Sequence, residues 1–183
     1  MSTFWPQALS RLRHGDADLT RSFNRWGARQ HVQAFFVAIS RLGDGVFWYA
    51  LMLVVALAGH PLAALHMGLT ALAALMLYRW LKRRTRRPRP CAGCRGVVAL
   101  TAPLDEFSFP SGHTLHAVAF TVVALAYLPM LAWLLVPFTL LVALSRVVLG
   151  LHYPTDVLAA CLIGACLALG SLGLAAAVAA AFG

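Results

Sequence analysis

Three short polar clusters stand among apolar residues in this chain, separated by tens of positions. The first runs from Lys82 to Pro90 and is crowded with arginine; the second is Phe109-Pro110-Ser111-Gly112-His113; the third is Ser145-Arg146, followed by His152 and Asp156. Lys82, Arg89 and Arg146 would supply cationic donors, and the planar fork of arginine matches phosphate oxygens, so the expected ligand is an anion. Ser111 and Gly112 follow Pro110, where a helix can begin. A hydroxyl and free backbone N–H groups would then face a bound phosphate, and Gly112 would let the backbone approach closely. His152 and Asp156 are four residues apart with Pro154 between them. Helix or turn, that spacing permits contact. A carboxylate on one imidazole nitrogen fixes the tautomer and leaves the other nitrogen free to attack. His113 then remains as a general acid for the leaving oxygen.

These clusters need elements that carry them to one place. The chain has 183 residues, 61% hydrophobic and 11% charged, far more apolar than a soluble domain. Stretches free of Asp, Glu, Lys and Arg run from Gly45 to Tyr78, from Phe107 to Ser145 and from Val157 to Gly183. A bilayer-crossing helix needs about 20 residues. The first two stretches therefore suit helical hairpins, turning at Gly59-His60-Pro61 and at Leu128-Pro129-Met130, and the third a single span. The expected fold is an all-α, polytopic membrane helical bundle, one domain over residues 1–183, with about five transmembrane helices. The first span is expected to begin near His31 and to carry Arg41 and Asp44 towards one surface. On this layout all three clusters reach the same face.

Residues 1–30 mix several arginines with Phe4, Trp5, Leu9, Leu19, Phe23 and Trp26. That mixture suits an interfacial helix in the headgroup layer, and no signal-peptide pattern occurs there. The net charge of +9 is read as membrane orientation, not nucleic-acid binding, because every lysine and arginine falls on or near the face of the clusters. Cys161 and Cys166 read as small packing residues. Cys91 and Cys94 form a Cys-x-x-Cys that lacks two further ligands for zinc, leaving a local disulfide or two free thiols. No metal or cofactor is expected.

The clusters resemble the motifs of the type 2 phosphatidic acid phosphatase family: Lys-x6-Arg-Pro at Lys82, Arg89 and Pro90; Pro-Ser-Gly-His at Pro110 to His113; and Ser-Arg-x5-His-x3-Asp at Ser145, Arg146, His152 and Asp156. The likeness covers residues 82–156. It implies a metal-independent lipid phosphatase with a phosphohistidine formed on His152, oriented by Asp156, and His113 protonating the departing group. It also implies that Lys82, Arg89, Ser111, Gly112 and Arg146 hold the phosphoryl oxygens. Positioning and charge stabilisation dominate phosphoryl transfer, so this many donors can stand in for a metal. The substrate class would be a prenyl diphosphate, phosphatidate or phosphatidylglycerophosphate, met in the cell's inner membrane. The family's bacterial precedent puts the site on the outer face; the arginine-rich loop favours the cytoplasmic one. A phosphotransferase using the same intermediate, and a non-catalytic lipid-binding protein, are the competing readings; oligomeric state stays open.

Other residues have plainer expectations. Arg83, Arg84, Arg86, Arg87 and Arg95 read as an orientation signal or a headgroup binder, and Asp105 and Glu106 as loop charges, with a pairing to a loop arginine as the alternative. Tyr78 and Trp80 suit an interfacial aromatic belt. His116 suits a packed, hydrogen-bonded histidine, and Pro137 a kink.

Overall fold

The computed structural model describes residues 4–182, with side chains from His14 onward. Its elements are α1 (Phe4–Gly27), α2 (Gln30–Arg41), a π-type turn (Leu42–Val46), α3 (Phe47–Leu57), α4 (Pro61–Thr85), the short α5 (Pro90–Gly93), α6 (Gly112–Tyr127), α7 (Ala132–Val148) and α8 (Pro154–Phe182). As expected, the fold is a helical membrane bundle. Among the described residues, four segments are long and apolar enough to cross a bilayer: Gln30–Leu57, Pro61–Thr85, Pro129–Val148 and Pro154–Phe182.

The fifth segment, α6, has only 16 residues, about 24 Å at 1.5 Å per residue. It is the hub of the bundle, packed on α4, α7 and α8. Thr114, Leu115, Ala117, Phe120, Thr121 and Val123 are buried along it. A helix enclosed by protein need not match the hydrocarbon thickness, which resolves the shortfall. Small residues of α8, Ala160, Gly164 and Ala168, are buried, as suits close helix packing in a membrane. Trp48 stacks on Phe120 at 4.9 Å and fills the space between α3 and α6. Both hairpin turns fall where proline and glycine predict: α3 ends at Leu57 and α4 starts at Pro61, while α6 ends at Tyr127 and a 3-10 turn begins at Pro129.

The amphipathic α1 packs on α2, α7 and α8. Its inward side carries a polar stripe, Asp16, Thr20 and Asn24, one per turn and buried, and Phe23, expected in the headgroup layer, packs beside it against the core. Leu19 and Trp26 point outward, as suits the headgroup layer. The expected contribution of Phe4, Trp5 and Leu9 to that face lies outside the described side chains. Asn24 explains the inward stripe, since its Nδ2 donates to the carbonyls of Val98 at 2.9 Å and Val148 at 3.1 Å while its Oδ1 accepts from the Val98 amide at 2.9 Å. This clip fixes the loop after α7. Gly150 in that loop has φ +71°, and a Cβ there would lie 2.5 Å from the Val98 carbonyl oxygen; only glycine turns the chain so tightly towards His152. All four cysteines are free thiols. Cys161 is half-buried, whereas Cys166 lies on the exposed side of α8 and does not pack as expected.

Candidate active site

The ends of α4, α6 and α7, with the loop before α8, surround one cavity of about 360 Å³. Lys82, Arg89, Gly112, His113, Arg146 and His152 all line it, so the three clusters do converge.

The cations are held in different ways. Lys82 Nζ donates to both Asp105 carboxylate oxygens, at 2.7 and 2.6 Å, and to the Phe107 carbonyl at 3.1 Å. Arg89 Nη2 donates to Asp105 Oδ1 at 2.7 Å, its Nε to the Asp105 carbonyl at 2.8 Å, and its Nη1 to the Leu151 carbonyl at 2.8 Å. One carboxylate therefore aims both side chains. Burial alone would raise the Asp105 pKa, but the hydrogen bond from Lys82 and the charges of Lys82 and Arg89 outweigh it and hold the carboxyl below its ordinary value. Arg146 donates through Nη1 to Ser40 of α2. Its buried Nε has no partner among the described residues, so this cavity-lining arginine keeps an unsatisfied donor.

His152 is 1% exposed, and its Nδ1 donates to the Ser108 carbonyl at 2.6 Å. A carbonyl can only accept, so the proton sits on Nδ1 and Nε2 carries the lone pair. That lone pair accepts a hydrogen bond from Arg89 Nη1 at 3.3 Å, beside the cavity. Burial first, and then the charges of Arg146, Arg89 and Lys82, push the His152 pKa well below its ordinary value. The ring is therefore neutral beside the cationic lining of the cavity. On the other side, His113 Nε2 stands 3.2 Å from Asp44 Oδ1.

Asp156 and Ser111 sit differently from expectation. Asp156 Oδ2 is 3.8 Å from His152 Nδ1, beyond hydrogen-bond reach, because Ser108 occupies that nitrogen. Asp156 instead accepts from Arg87 Nη1 at 2.6 Å and from the Tyr153 amide at 2.9 Å. It shapes the turn that carries His152. The Ser111 hydroxyl is fully buried and pairs with Thr114 Oγ1 at 3.0 Å, away from the cavity lining. At this helix start the glycine, Gly112, lines the cavity.

Several residues here escaped the sequence reading. Asp105 meets its alternative expectation by pairing with the loop arginine Arg89, and its second partner, Lys82, is the part that was not foreseen. Arg87, expected to face headgroups, bridges Asp156 and the buried Asp16 of α1, with Nη2 2.7 Å from Asp16 Oδ2, and lies 4.2 Å above the Tyr153 ring. The available signal was its place two residues before Arg89. Tyr78, assigned to the interfacial belt, lines the cavity beside Gly112. His116 matches expectation, with Nδ1 3.0 Å from the Gly112 carbonyl and Nε2 3.1 Å from that of Ala71. Asp44 and the Ser108 carbonyl carry no motif that marks them.

Comparison with known proteins agrees with this geometry. The family model described as the PAP2 superfamily matches residues 63–179. The chain is 36% identical over 94 residues to undecaprenyl-diphosphatase BcrC of Bacillus subtilis (strain 168), covering 51% of this chain and 48% of that protein, so the match spans about half of that relative's length. The fold is similar to the crystal structure of LpxE from Aquifex aeolicus, with a TM-score of 0.75, 26% identity, and 85% of this chain and 93% of that one covered. It is also similar to a transmembrane PAP2-type phosphatidylglycerolphosphate phosphatase from Bacillus subtilis, with a TM-score of 0.72, 25% identity and coverage of 92% and 88%.

Proposed function

This chain belongs to the PAP2 superfamily, and we propose that it is a membrane lipid phosphatase that removes a phosphoryl group from a lipid phosphomonoester or diphosphate through a phosphohistidine on His152. The observation that carries this reading is the state of His152: a buried ring with its proton on Nδ1, an unprotonated Nε2 that accepts from Arg89 Nη1 beside the cavity, and the cations Lys82, Arg89 and Arg146 lining that cavity.

In the first half-reaction the His152 Nε2 lone pair forms a bond to phosphorus as the bond to the leaving oxygen breaks. His113 gives that oxygen a proton. In the second, water attacks the phosphorus, its proton passes to His113, and the P–N bond breaks to release phosphate. The cationic donors stabilise the equatorial oxygens throughout. The Ser108 carbonyl holds the tautomer, and Asp156 acts at one remove, through Arg87 and the Tyr153 amide.

An apolar flank supports a lipid over a soluble phosphate. The cavity continues from the cations along Met52 of α3 and Gly68, Ala71, Leu72 and Leu75 of α4, a path open to a hydrocarbon chain while the headgroup meets Arg146. Among candidate lipids, prenyl diphosphate is favoured by the likeness to an undecaprenyl-diphosphatase; phosphatidate and phosphatidylglycerophosphate follow. The expected setting is the cell's inner membrane. The exposed Arg83, Arg84 and Arg86 beside the site favour the cytoplasmic face by the positive-inside rule; labelling of Cys94 by a membrane-impermeant maleimide in intact cells would reveal the opposite face.

The test is phosphate release by the purified protein in detergent with EDTA, across those three lipids, with an added lipid alcohol as acceptor in a parallel arm. Release to water supports hydrolysis. Label appearing on the acceptor with none in water would instead support phosphotransfer by the same intermediate.

A further inference from the structure

The first membrane segment breaks inside its length. Between α2 and α3 lies the sequence Leu42-Gly43-Asp44-Gly45-Val46, a kink at which Gly45 leaves the helical conformation with φ +133°. Only glycine adopts that angle readily. Gly43 is buried against α7, where a Cβ would meet Val142 Cγ2 at 2.7 Å. The break thus presses this segment onto the bundle and sets the Asp44 carboxylate in the cavity, 3.2 Å from His113 Nε2. Four residues earlier, Ser40 accepts the hydrogen bond from Arg146. One segment without any family motif therefore touches both an anion-binding arginine and the expected general acid.

Charge balance gives this contact its meaning. A histidine that donates a proton must first be an imidazolium, and the cavity already holds the cations Lys82, Arg89 and Arg146. Each disfavours a further positive charge on His113. Of the carboxylates lining the cavity, Asp105 is engaged by Lys82 and Arg89. Asp44 is the one within ion-pair distance of His113. The remaining titratable groups lining the cavity are His116 on α6, His152 in the loop before α8, Tyr78 on α4 and Tyr49 on α3; none is a carboxylate.

We propose that Asp44 is a positioning residue for proton transfer, holding His113 as an imidazolium amid three cations so that it can protonate the leaving oxygen. This inference rests on the phosphatase reading above. Asp44 stays ionised throughout. His113 loses its proton as the ester bond breaks and regains it from the attacking water, so the pair is restored at each turnover.

The experiment compares Asp44→Asn, Asp44→Glu and His152→Ala with the parent on two substrates in detergent: phosphatidate, whose leaving group is an alcohol, and p-nitrophenyl phosphate, whose leaving group departs without a proton. For Asp44→Asn the expected kcat on phosphatidate falls about 30- to 100-fold, within the range a general acid contributes, while p-nitrophenyl phosphate loses less than about threefold. The alkaline limb of its kcat profile on phosphatidate also moves to lower pH, because the imidazolium has lost its carboxylate. Asp44→Glu regains part of the loss. Equal losses on both substrates, or no loss on either, overturn the inference while an inactive His152→Ala leaves the phosphatase reading standing. A parent inactive on both substrates, or a fully active His152→Ala, overturns that reading and this one with it. Elution of each variant as the parent does on size exclusion controls for folding.

Discussion

His152 Nδ1 donates to the backbone carbonyl of Ser108 at 2.6 Å, across 44 residues of sequence. This bond ties the loop before α6 to the turn before α8. It fixes the tautomer with a backbone group, so no substitution of the Ser108 side chain removes it directly.

The first consequence concerns Asp156. Because it stands 3.8 Å from the ring and acts through Arg87 and the Tyr153 amide, Asp156→Asn is expected to slow turnover by about 10- to 100-fold, against complete loss for His152→Ala. Steady-state phosphate release decides this. Equal loss in the two variants would mean that Asp156 contacts the ring during the reaction.

Arg87 should behave unlike its neighbours. Its guanidinium joins the buried carboxylates Asp16 and Asp156, whereas Arg83 and Arg84 are exposed. Arg87→Gln leaves two buried carboxylates without their shared cation, and removing one member of a buried pair typically costs about 3–5 kcal/mol; half-exposure of Arg87 reduces that to about 1–3 kcal/mol. Thermal unfolding in detergent should fall for Arg87→Gln and hold for Arg83→Gln. Matching curves would contradict the bridge.

Protonation of His152 carries a pH signature. Its folded pKa is pushed well below the ordinary value by burial and by the charges of Arg146, Arg89 and Lys82. Below about pH 6.5 the unfolded chain therefore binds a proton that the folded protein refuses, so stability is lost as pH falls through that range. Thermal midpoints of the parent between pH 7.5 and 5 should decline more steeply than those of His152→Ala. Parallel declines would place the folded pKa at its ordinary value.

The clamp on Lys82 and Arg89 predicts a change in binding. Asp105→Asn keeps the shape but leaves two buried cations without their shared carboxylate. The side chains are then free to swing, and KM for a lipid phosphate is expected to rise about tenfold, or about 1.4 kcal/mol. An unchanged KM and kcat would show that the Asp105 pairing does not aim these residues.

The convergence of Lys82, Arg89, His113, Arg146 and His152 was legible because hydropathy counts the crossings, and the crossings decide which loops share a face. The hairpin turns were legible because Pro61 and Pro129 interrupt helices chemically. Contacts that depend on side-chain direction were not. The polar stripe of α1 looks like an ordinary solvent face until Asn24 meets the Val98 and Val148 carbonyls. Ser111 follows a proline at a helix start, yet whether its hydroxyl faces the cavity or Thr114 depends on a rotamer. Asp44 was placed near one surface as expected, but its partner His113 is 69 residues away, brought near by a break at Gly45 that carries no pattern in hydropathy.

The most direct test of a nucleophilic His152 is covalent trapping. The purified protein is mixed with a lipid phosphate carrying a labelled phosphoryl group, quenched within its turnover time in alkali, and assayed for protein-bound label. The parent is expected to hold label that is stable to alkali and released by acid, as a phosphoramidate bond should be, and His152→Ala to hold none. Label of equal amount on His152→Ala, or phosphate release by the parent with no trapped label at any quench time, would contradict a phosphohistidine on this residue.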